Sequence, residues 1–359
     1  MADPFPLIEI EGPPRERGLS YGRQACEQIA RGLKIYSDSL ARPGASAAAL
    51  RYLVELEAYD ADLVEEIRGI AEGASQPVEA IVALNARTEL TAWDSQPAAD
   101  ECTAALAMPE RTADGVLLHG QNWDWRAACA DSSIVLRIRM AEGPDILTFC
   151  EAGQLARHGL NAAGVALTAN GLQTDNEFVA GGIPSPFIRR RMLMAGSFAE
   201  AMSVLLNTPR SSSHNLMLSH SGGKGRSEAI NFEATPRDVF WSFPERGLIS
   251  HSNHFKHPIA LTKVTDIGLL RHPESLYRDK RVFEHLEADG DAITTESFER
   301  AFADDYGAPN AVCRSPSERS DGSVSATVAS LIMDAGAGRL WLAPLPYEGA
   351  HYTEFRLDP

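Results

Sequence analysis

No apolar run in the 359-residue chain approaches the 18 or so residues that a membrane-spanning helix requires, and no dense tract of lysine or arginine is present. The first absence argues against a helical membrane anchor. The second, with 33 Lys+Arg against 49 Asp+Glu and a formal net charge of −16, argues against a nucleic-acid partner, because phosphate backbones are held chiefly by concentrated positive charge. The one basic triplet, Arg189-Arg190-Arg191, reads as a solvated helix face. A Cys-x-x-Cys pair, a Gly-rich phosphate loop and a dinucleotide fingerprint are all missing, so no cofactor is expected. Cysteines are few, five at irregular spacings (Cys26, Cys102, Cys129, Cys150 and Cys313), which suits reduced thiols better than a disulfide framework. The opening Met-Ala-Asp-Pro-Phe-Pro carries neither the basic stretch nor the apolar core of a secretory signal, and a cytoplasmic location is the expectation.

What is present is ordinary globular composition, 44% hydrophobic and 23% charged, in a chain long enough to bury about 75% of its unfolded surface. Up to about residue 100 the apolar residues recur at three and four, as in Leu53, Leu56, Leu63, Val64, Ile67 and Ile70, which predicts helix. A short strand is expected at 7–10 and a further helix over 79–90, entered through Pro77. After Cys102 the texture changes to short runs rich in Val, Ile, Leu and Thr. Strands are predicted at 116–118, 134–140, 164–168, 229–232 and 324–333, with helical interruptions at 199–206 and 277–286. Helices first and strands later predict an α+β fold with an antiparallel sheet, in one continuous domain. The polar stretch 315–325 reads as a mobile loop.

Gly18-Leu19-Ser20-Tyr21-Gly22 has the spacing of a nucleophile elbow, but Pro13 and Pro14 with the charges after them cannot form the buried strand that an elbow needs. A helix start is the better reading. His251, His254 and His257 lack the i, i+4 spacing and the extra ligand of a zinc site, so polar loop histidines are expected and no metal. In Gly120-Gln121-Asn122-Trp123-Asp124-Trp125 a strand would place Asn122 and Asp124 on one face and both tryptophans on the other. That pattern fits a plain sheet with tryptophans packed inward as well as it fits a polar site.

Cys102 stands where helical texture gives way to strand texture. It reads either as a small buried hydrophobe or as a residue that becomes an N-terminus when the preceding bond is cut. The second case has a chemical rationale. An α-amine of reference pKa near 7.7 to 8.0 can take the proton of a thiol near 8.5, so one residue supplies both nucleophile and base. Asp124, Asn253 and Arg314 are available helpers that spacing alone does not select.

These residues resemble the acyl-coenzyme A:6-aminopenicillanic acid acyltransferases, a family of the N-terminal-nucleophile hydrolases. The resemblance rests on Glu66-Ile67-Arg68-Gly69-Ile70-Ala71-Glu72-Gly73-Ala74, Leu84-Asn85-Ala86-Arg87-Thr88-Glu89, Cys102-Thr103, Gly120-Gln121-Asn122-Trp123-Asp124, Glu151-Ala152-Gly153, the stretch 159–166, Ser252-Asn253-His254 and Cys313-Arg314. It implies a four-layer αββα sandwich made as a precursor that cuts itself between Glu101 and Cys102. Residues 1–101 would form a helical pro-segment and 102–359 a β-rich catalytic chain, the two staying associated as one domain. Cys102 would be the nucleophile, Asp124 would hold its freed amine, Asn253 would donate to the oxyanion and Arg314 would orient Asp124 and the nucleophile. The expected activity is hydrolysis of a small N-acyl amide through a thioester. Transfer of the acyl group to an amine, and a non-catalytic binding module on the same fold, are the alternatives. At position 101 the penicillin enzyme has glycine and this chain has glutamate, and the C-terminal Arg356-Leu357-Asp358-Pro359 is not a peroxisomal Ser-Lys-Leu type of ending.

Overall fold

The computed structural model of the protein describes residues 3–40, 44–92, 102–177, 181–222, 225–319 and 321–358. In its first part the three-and-four spacing is realised as helix. Ala45–Tyr59 buries Leu53 and Leu56, and Ala61–Gly73 buries Leu63, Val64, Ile67 and Ile70. Asp60 caps the second of these, its carboxylate accepting from the Leu63 N–H at 3.0 Å. The helix expected over 79–90 is two, Val78–Asn85 and Arg87–Ala92. The Asn85 side chain donates back to the Ile81 carbonyl and across to that of Gly153, a competition that ends a helix.

Helix Pro14–Gln24 runs through the Gly18-to-Gly22 pentapeptide, so no elbow forms. Its glycines serve packing instead. A Cβ on Gly18 would stand 2.1 Å from the Glu66 carbonyl oxygen, and one on Gly69 would stand 2.2 Å from that of Arg15. Gly22 and Gly73 repeat the pattern one turn on, each 2.3 Å from a carbonyl oxygen of the other helix. Any side chain at these four positions would separate helices Pro14–Gln24 and Ala61–Gly73.

The strands are β1 (Leu7–Ile10), β2 (Thr103–Ala107), β3 (Leu118–Arg126), β4 (Ser133–Ile138), β5 (Ile146–Glu151), β6 (His158–Asn161), β7 (Val165–Gly171), β8 (His214–Ser221), β9 (Ser227–Ala234), β10 (Val239–Ser242), β11 (Leu248–His251), β12 (Ser317–Glu318), β13 (Val324–Asp334), β14 (Arg339–Pro344) and β15 (Thr353–Arg356). One sheet has the order β1-β4-β5-β6-β7-β8-β9-β10 and the other β11-β2-β3-β13-β14-β15, with β12 on β13. Neighbours are antiparallel except β1, which lies parallel to β4 and gives the larger sheet an edge strand from the segment before Cys102. The stretch 315–325 is not a free loop. Ser317 and Glu318 pair with Ser325 and Val324, satisfying backbone groups that a loop would leave to water.

Alternation along β2 shows the layering. Ala105 and Ala107 pack under Val282, Leu286, Phe298 and Phe302 of helices Ser275–Ala288 and Thr295–Phe302, while Ala104 and Leu106 face Met217 and Ala229 of the larger sheet. The larger sheet's other face is covered by the early helices together with Ser185–Leu193 and Phe198–Asn207. The order is helix, sheet, sheet, helix, the expected αββα sandwich.

The basic triplet departs from its solvated reading. Arg189 and Arg190 are buried, and Arg190 pairs with the carboxylate of Glu66 (Nη2 to Oε2, 3.0 Å), which also takes Arg17 (Nη2, 2.5 Å). Only Arg191 is partly exposed, bound to Asp60 at 2.5 Å. A second buried seam joins the early segment to the larger sheet at Glu151, which receives Arg87 (2.7 Å) and the Tyr36 hydroxyl (2.5 Å). The amide of Asn85 also accepts from the Leu155 N–H. The quoted motif residues Glu66, Asn85, Arg87 and Glu151 thus join the segment 1–92 to the strands and helices after Cys102.

Between the sheets, His119 of β3 is wholly buried, its ring nitrogens 2.9 Å from Ser219 Oγ and 2.8 Å from Thr168 Oγ1. Burial pushes its pKa from 6.5 down to about 3, and that of His254 down to about 4. His158 is shifted the same way by burial and by Arg157. A histidine held neutral in the fold is protonated first in the unfolded chain, so stability falls as pH drops below 6.5 and goes on falling until the folded pKa is reached. At pH 5 His119 and His254 each remove about 2 kcal/mol, a large part of a domain's stability. The melting temperature is therefore expected to fall continuously from pH 7 to pH 4, and His119→Gln should flatten that dependence by about one proton. A melting temperature unchanged between pH 7 and pH 5 would contradict this account.

Candidate active site

Cys102 is buried immediately before β2. Register then brings distant residues to it. Thr103 lies opposite Asn122 of β3, and Ala104 lies opposite His251 of β11. Continuing the β11 register two residues sets Asn253 across from Cys102. The Ser252 hydroxyl, 3.2 Å from Thr103 Oγ1, fits that continuation.

On β3 the predicted alternation holds, but both faces are buried. Trp123 and Trp125 lie in the core cluster that includes Phe149, while Asn122 donates to the Phe302 and Val312 carbonyls on the helix side. The polar pair is not exposed, because helix Thr295–Phe302 lies over it. Gly120 makes that close cover feasible: a Cβ there would meet the Phe302 ring at 2.7 Å.

Asp124 shares the face of Asn122 and is fully buried. Its Oδ1 accepts from Thr327 Oγ1 at 2.6 Å, and its Oδ2 lies 3.4 Å from Arg314 Nε. Thr327 Oγ1 in turn accepts from the Arg314 backbone N–H at 2.8 Å, which fixes the arginine against β13. The far end of the Arg314 guanidinium donates to Glu274 Oε1 at 2.7 Å and to Asn310 Oδ1 at 3.2 Å. Burial pushes the Glu274 carboxyl up, but hydrogen bonds from His272 and Arg314 prevail and hold it at about 2.

Asn253 is held on three sides. Its N–H donates to Ser275 Oγ at 2.7 Å, its Nδ2 to the Gly171 carbonyl at 2.9 Å, and its Oδ1 accepts from Arg278 Nη2 at 3.0 Å. The other guanidinium nitrogen, Arg278 Nη1, donates to the Cys102 carbonyl at 3.0 Å and to Thr103 Oγ1 at 2.8 Å. All four sequence-selected residues are therefore gathered at one end of β2 and β3. Glu274, Ser275 and Arg278, from the start of helix Ser275–Ala288, link three of them and were missed in the sequence, as was Thr327. One signal was available: Arg278, Val282 and Leu286 fall at i, i+4 and i+8, placing an arginine on an apolar helix face.

Two of the three histidines are not solvated, while His257 stays half-buried in a loop. His251 ends β11 and bonds Glu233 at 3.0 Å, and His254 bonds Ser275 Oγ at 2.7 Å, both buried because 251–255 is clamped between β9 and the helix start. Among the described residues no group of three or more His, Cys, Asp or Glu is placed to hold a metal ion. A cavity of about 470 Å3 opens beside β11 toward Phe243, Lys256 and Phe283, and its described lining includes none of Cys102, Asp124, Asn253 and Arg314. Glu101 lies outside the described residues, so the geometry of the bond before Cys102 does too.

A sulfur atom, a side-chain amide donor and a buried carboxylate balanced by arginine make up the equipment of acyl chemistry. The αββα sandwich, with a cysteine just before a strand of its smaller sheet, has the fold of the N-terminal-nucleophile hydrolases. Residues 111–344 match the family model described as acyl-coenzyme A:6-aminopenicillanic acid acyl-transferase, a span that includes Asp124, Asn253 and Arg314 and begins after Cys102. The chain is 30% identical over 321 residues to the acyl-coenzyme A:6-aminopenicillanic-acid-acyltransferase 40 kDa form of Emericella nidulans, covering 87% of this chain and 85% of that one. It belongs to that family, and it is an enzyme acting on amide C–N bonds. Among solved structures it is similar to the C2A mutant of the conjugated bile acid hydrolase from Clostridium perfringens (TM-score 0.50, 15% identity, 72% of this chain and 92% of that one). The penicillin V acylase from Agrobacterium tumefaciens gives a TM-score of 0.48 at 14% identity, over 71% of this chain and 86% of that one.

Proposed function

We propose that the chain matures by cutting its own Glu101–Cys102 bond and then hydrolyses a small N-acyl amide through a thioester at Cys102. In maturation the thiol attacks the Glu101 carbonyl, the C–N bond to Cys102 breaks as nitrogen takes the thiol proton, and water opens the resulting thioester. The freed amine then serves as base. It takes the thiol proton, the thiolate attacks the substrate carbonyl, and the leaving amine departs with the proton. Water releases the acid and restores the thiol. Asp124, fixed by Thr327 and Arg314, holds the amine, and Asn253 Nδ2 faces the oxygen that gains charge. The single observation carrying this reading is the hydrogen bonding of one guanidinium to both the Cys102 carbonyl and the Asn253 amide.

Acyl transfer to an amine is the second reading, favoured by the relative from Emericella nidulans, which is described as an acyltransferase. Water and amine compete for the same acyl-enzyme, so one site serves either outcome. The five cysteines form no disulfide, which supports a reducing compartment such as the cytoplasm. The test is intact mass of the purified chain, expected to give 1–101 and 102–359, followed by a panel of short and aromatic N-acyl amides. Free acid with no acceptor present supports hydrolysis, whereas product only when 6-aminopenicillanic acid accompanies an acyl-coenzyme A supports transfer. A cleaved protein that neither acylates Cys102 nor turns over any probe would overturn both.

A further inference from the structure

We infer that Arg278 is a positioning residue that sets which end of the Asn253 amide faces the reacting carbonyl, tying that donor to the nucleophile. The inference rests on the oxyanion role proposed for Asn253. The chemistry of the partners settles the orientation. A guanidinium can only donate and a backbone carbonyl can only accept, so Arg278 Nη2 requires the amide oxygen and the Gly171 carbonyl requires the amide nitrogen. Turning the amide over would set NH2 against guanidinium and oxygen against oxygen, losing both bonds and adding two repulsions. With one Nδ2 hydrogen committed to Gly171, the other has a single direction left, fixed relative to the backbone.

The same planar group reaches the other reactant. Nη1 bonds the Cys102 carbonyl and Thr103 Oγ1, so the start of β2 and the Asn253 amide are referred to one rigid fork. Arg278 is wholly buried, and its helix is seated by Val282 and Leu286 beneath β2, so the fork does not drift relative to the sheet. A positive charge 3.0 Å from Oδ1 also draws density from the amide and makes its N–H a stronger donor. Lysine, a point charge on a flexible stem, cannot span these acceptors.

The experiment is a double-mutant cycle on the full chain, using Arg278→Gln and Asn253→Ala singly and together. The probe is p-nitrophenyl acetate, the Cys102-dependent release of p-nitrophenolate is read, and rates are expressed per molecule whose N-terminus at Cys102 is counted by intact mass. Arg278→Gln is expected to lower kcat by about 10²-fold with KM within about twofold, and to cost less than about threefold when Asn253 is already alanine. Arg278→Lys should recover little of the loss although it keeps the charge, and it carries the same cycle if the glutamine variant does not fold or mature. An Asn253→Ala enzyme as fast as the parent would sink the oxyanion reading itself. An impaired Asn253→Ala enzyme in which Arg278→Gln costs as much as it does in the parent, or a loss confined to KM, would sink the positioning role alone.

Discussion

Cys102→Ala is expected to give a folded, full-length chain that neither splits nor turns over substrate. The substitution removes the one atom able to attack at this site and leaves the backbone contacts of residue 102 in place, including the carbonyl that accepts from Arg278. No neighbouring thiol substitutes. Burial pushes the Cys150 and Cys313 thiols up to about 12 and lifts Cys129 well above its ordinary range, so near neutral pH none of the three is a thiolate. Cys26 is exposed in the early helix Cys26–Ile35, on the segment that precedes the nucleophile. Loss of a nucleophile costs on the order of 10⁴-fold or more in turnover, and the expected residual rate is the background of the probe. Intact mass and single-turnover kinetics read the two effects separately. A variant still cut after Glu101 would assign the cut to an outside protease, and one that still turns over would assign the chemistry to another residue.

Asp124→Asn is expected to lower kcat/KM by about 10² to 10⁴-fold in protein whose Cys102 N-terminus is already free. The change is nearly isosteric, so packing beside Thr327 is kept while the charge proposed to hold the freed amine is lost. Arg314 is not stranded by it. Its guanidinium stays paired with Glu274, which remains ionised down to about pH 2. The fold should therefore survive, with circular dichroism unchanged and the loss confined to catalysis. Near-normal kcat/KM in matured Asp124→Asn would remove Asp124 from the site.

The sequence carried local geometry well and long-range polar pairing poorly. The alternation that places Asn122 and Asp124 together on β3 is a property of any strand, and it follows from residues 120–125 once a strand is supposed there, although the strand expected at 116–118 in fact runs over Leu118–Arg126. What covers that face is not local: Phe302 and Val312 lie 180 and 190 residues further on. The basic triplet was misread for the same reason, since charges are normally solvated and the carboxylate that buries Arg190 is 124 residues away. Gly18 and Gly22, matched in spacing by Gly69 and Gly73, did carry a readable signal for close helix packing, which the resemblance to an elbow obscured. At the site, Cys102, Asp124, Asn253 and Arg314 came from family motifs. Arg278 stands on the apolar stripe of its helix with Val282 and Leu286, a position where arginine is seldom buried and which therefore signals nothing by charge alone.

The seam between residues 3–92 and the rest of the protein has a consequence for how a matured molecule lives and ends. An edge strand, the Glu66–Arg190 pair and the Glu151 cluster all cross it, so scission before Cys102 would leave one globule made of two covalent pieces. Its native state would hardly register the cut, but its unfolded state would gain the freedom to dilute. Refolding would become a bimolecular encounter, and the midpoint of unfolding would rise with protein concentration, as it does for an obligate dimer. Once dispersed in a dilute compartment, the larger piece would lack β1 beside β4 and the Glu66 carboxylate that balances Arg190. For such a molecule persistence at low concentration would be governed by the rate of first opening, and maturation would turn a fold that one chain can regain alone into one that needs two pieces to meet again.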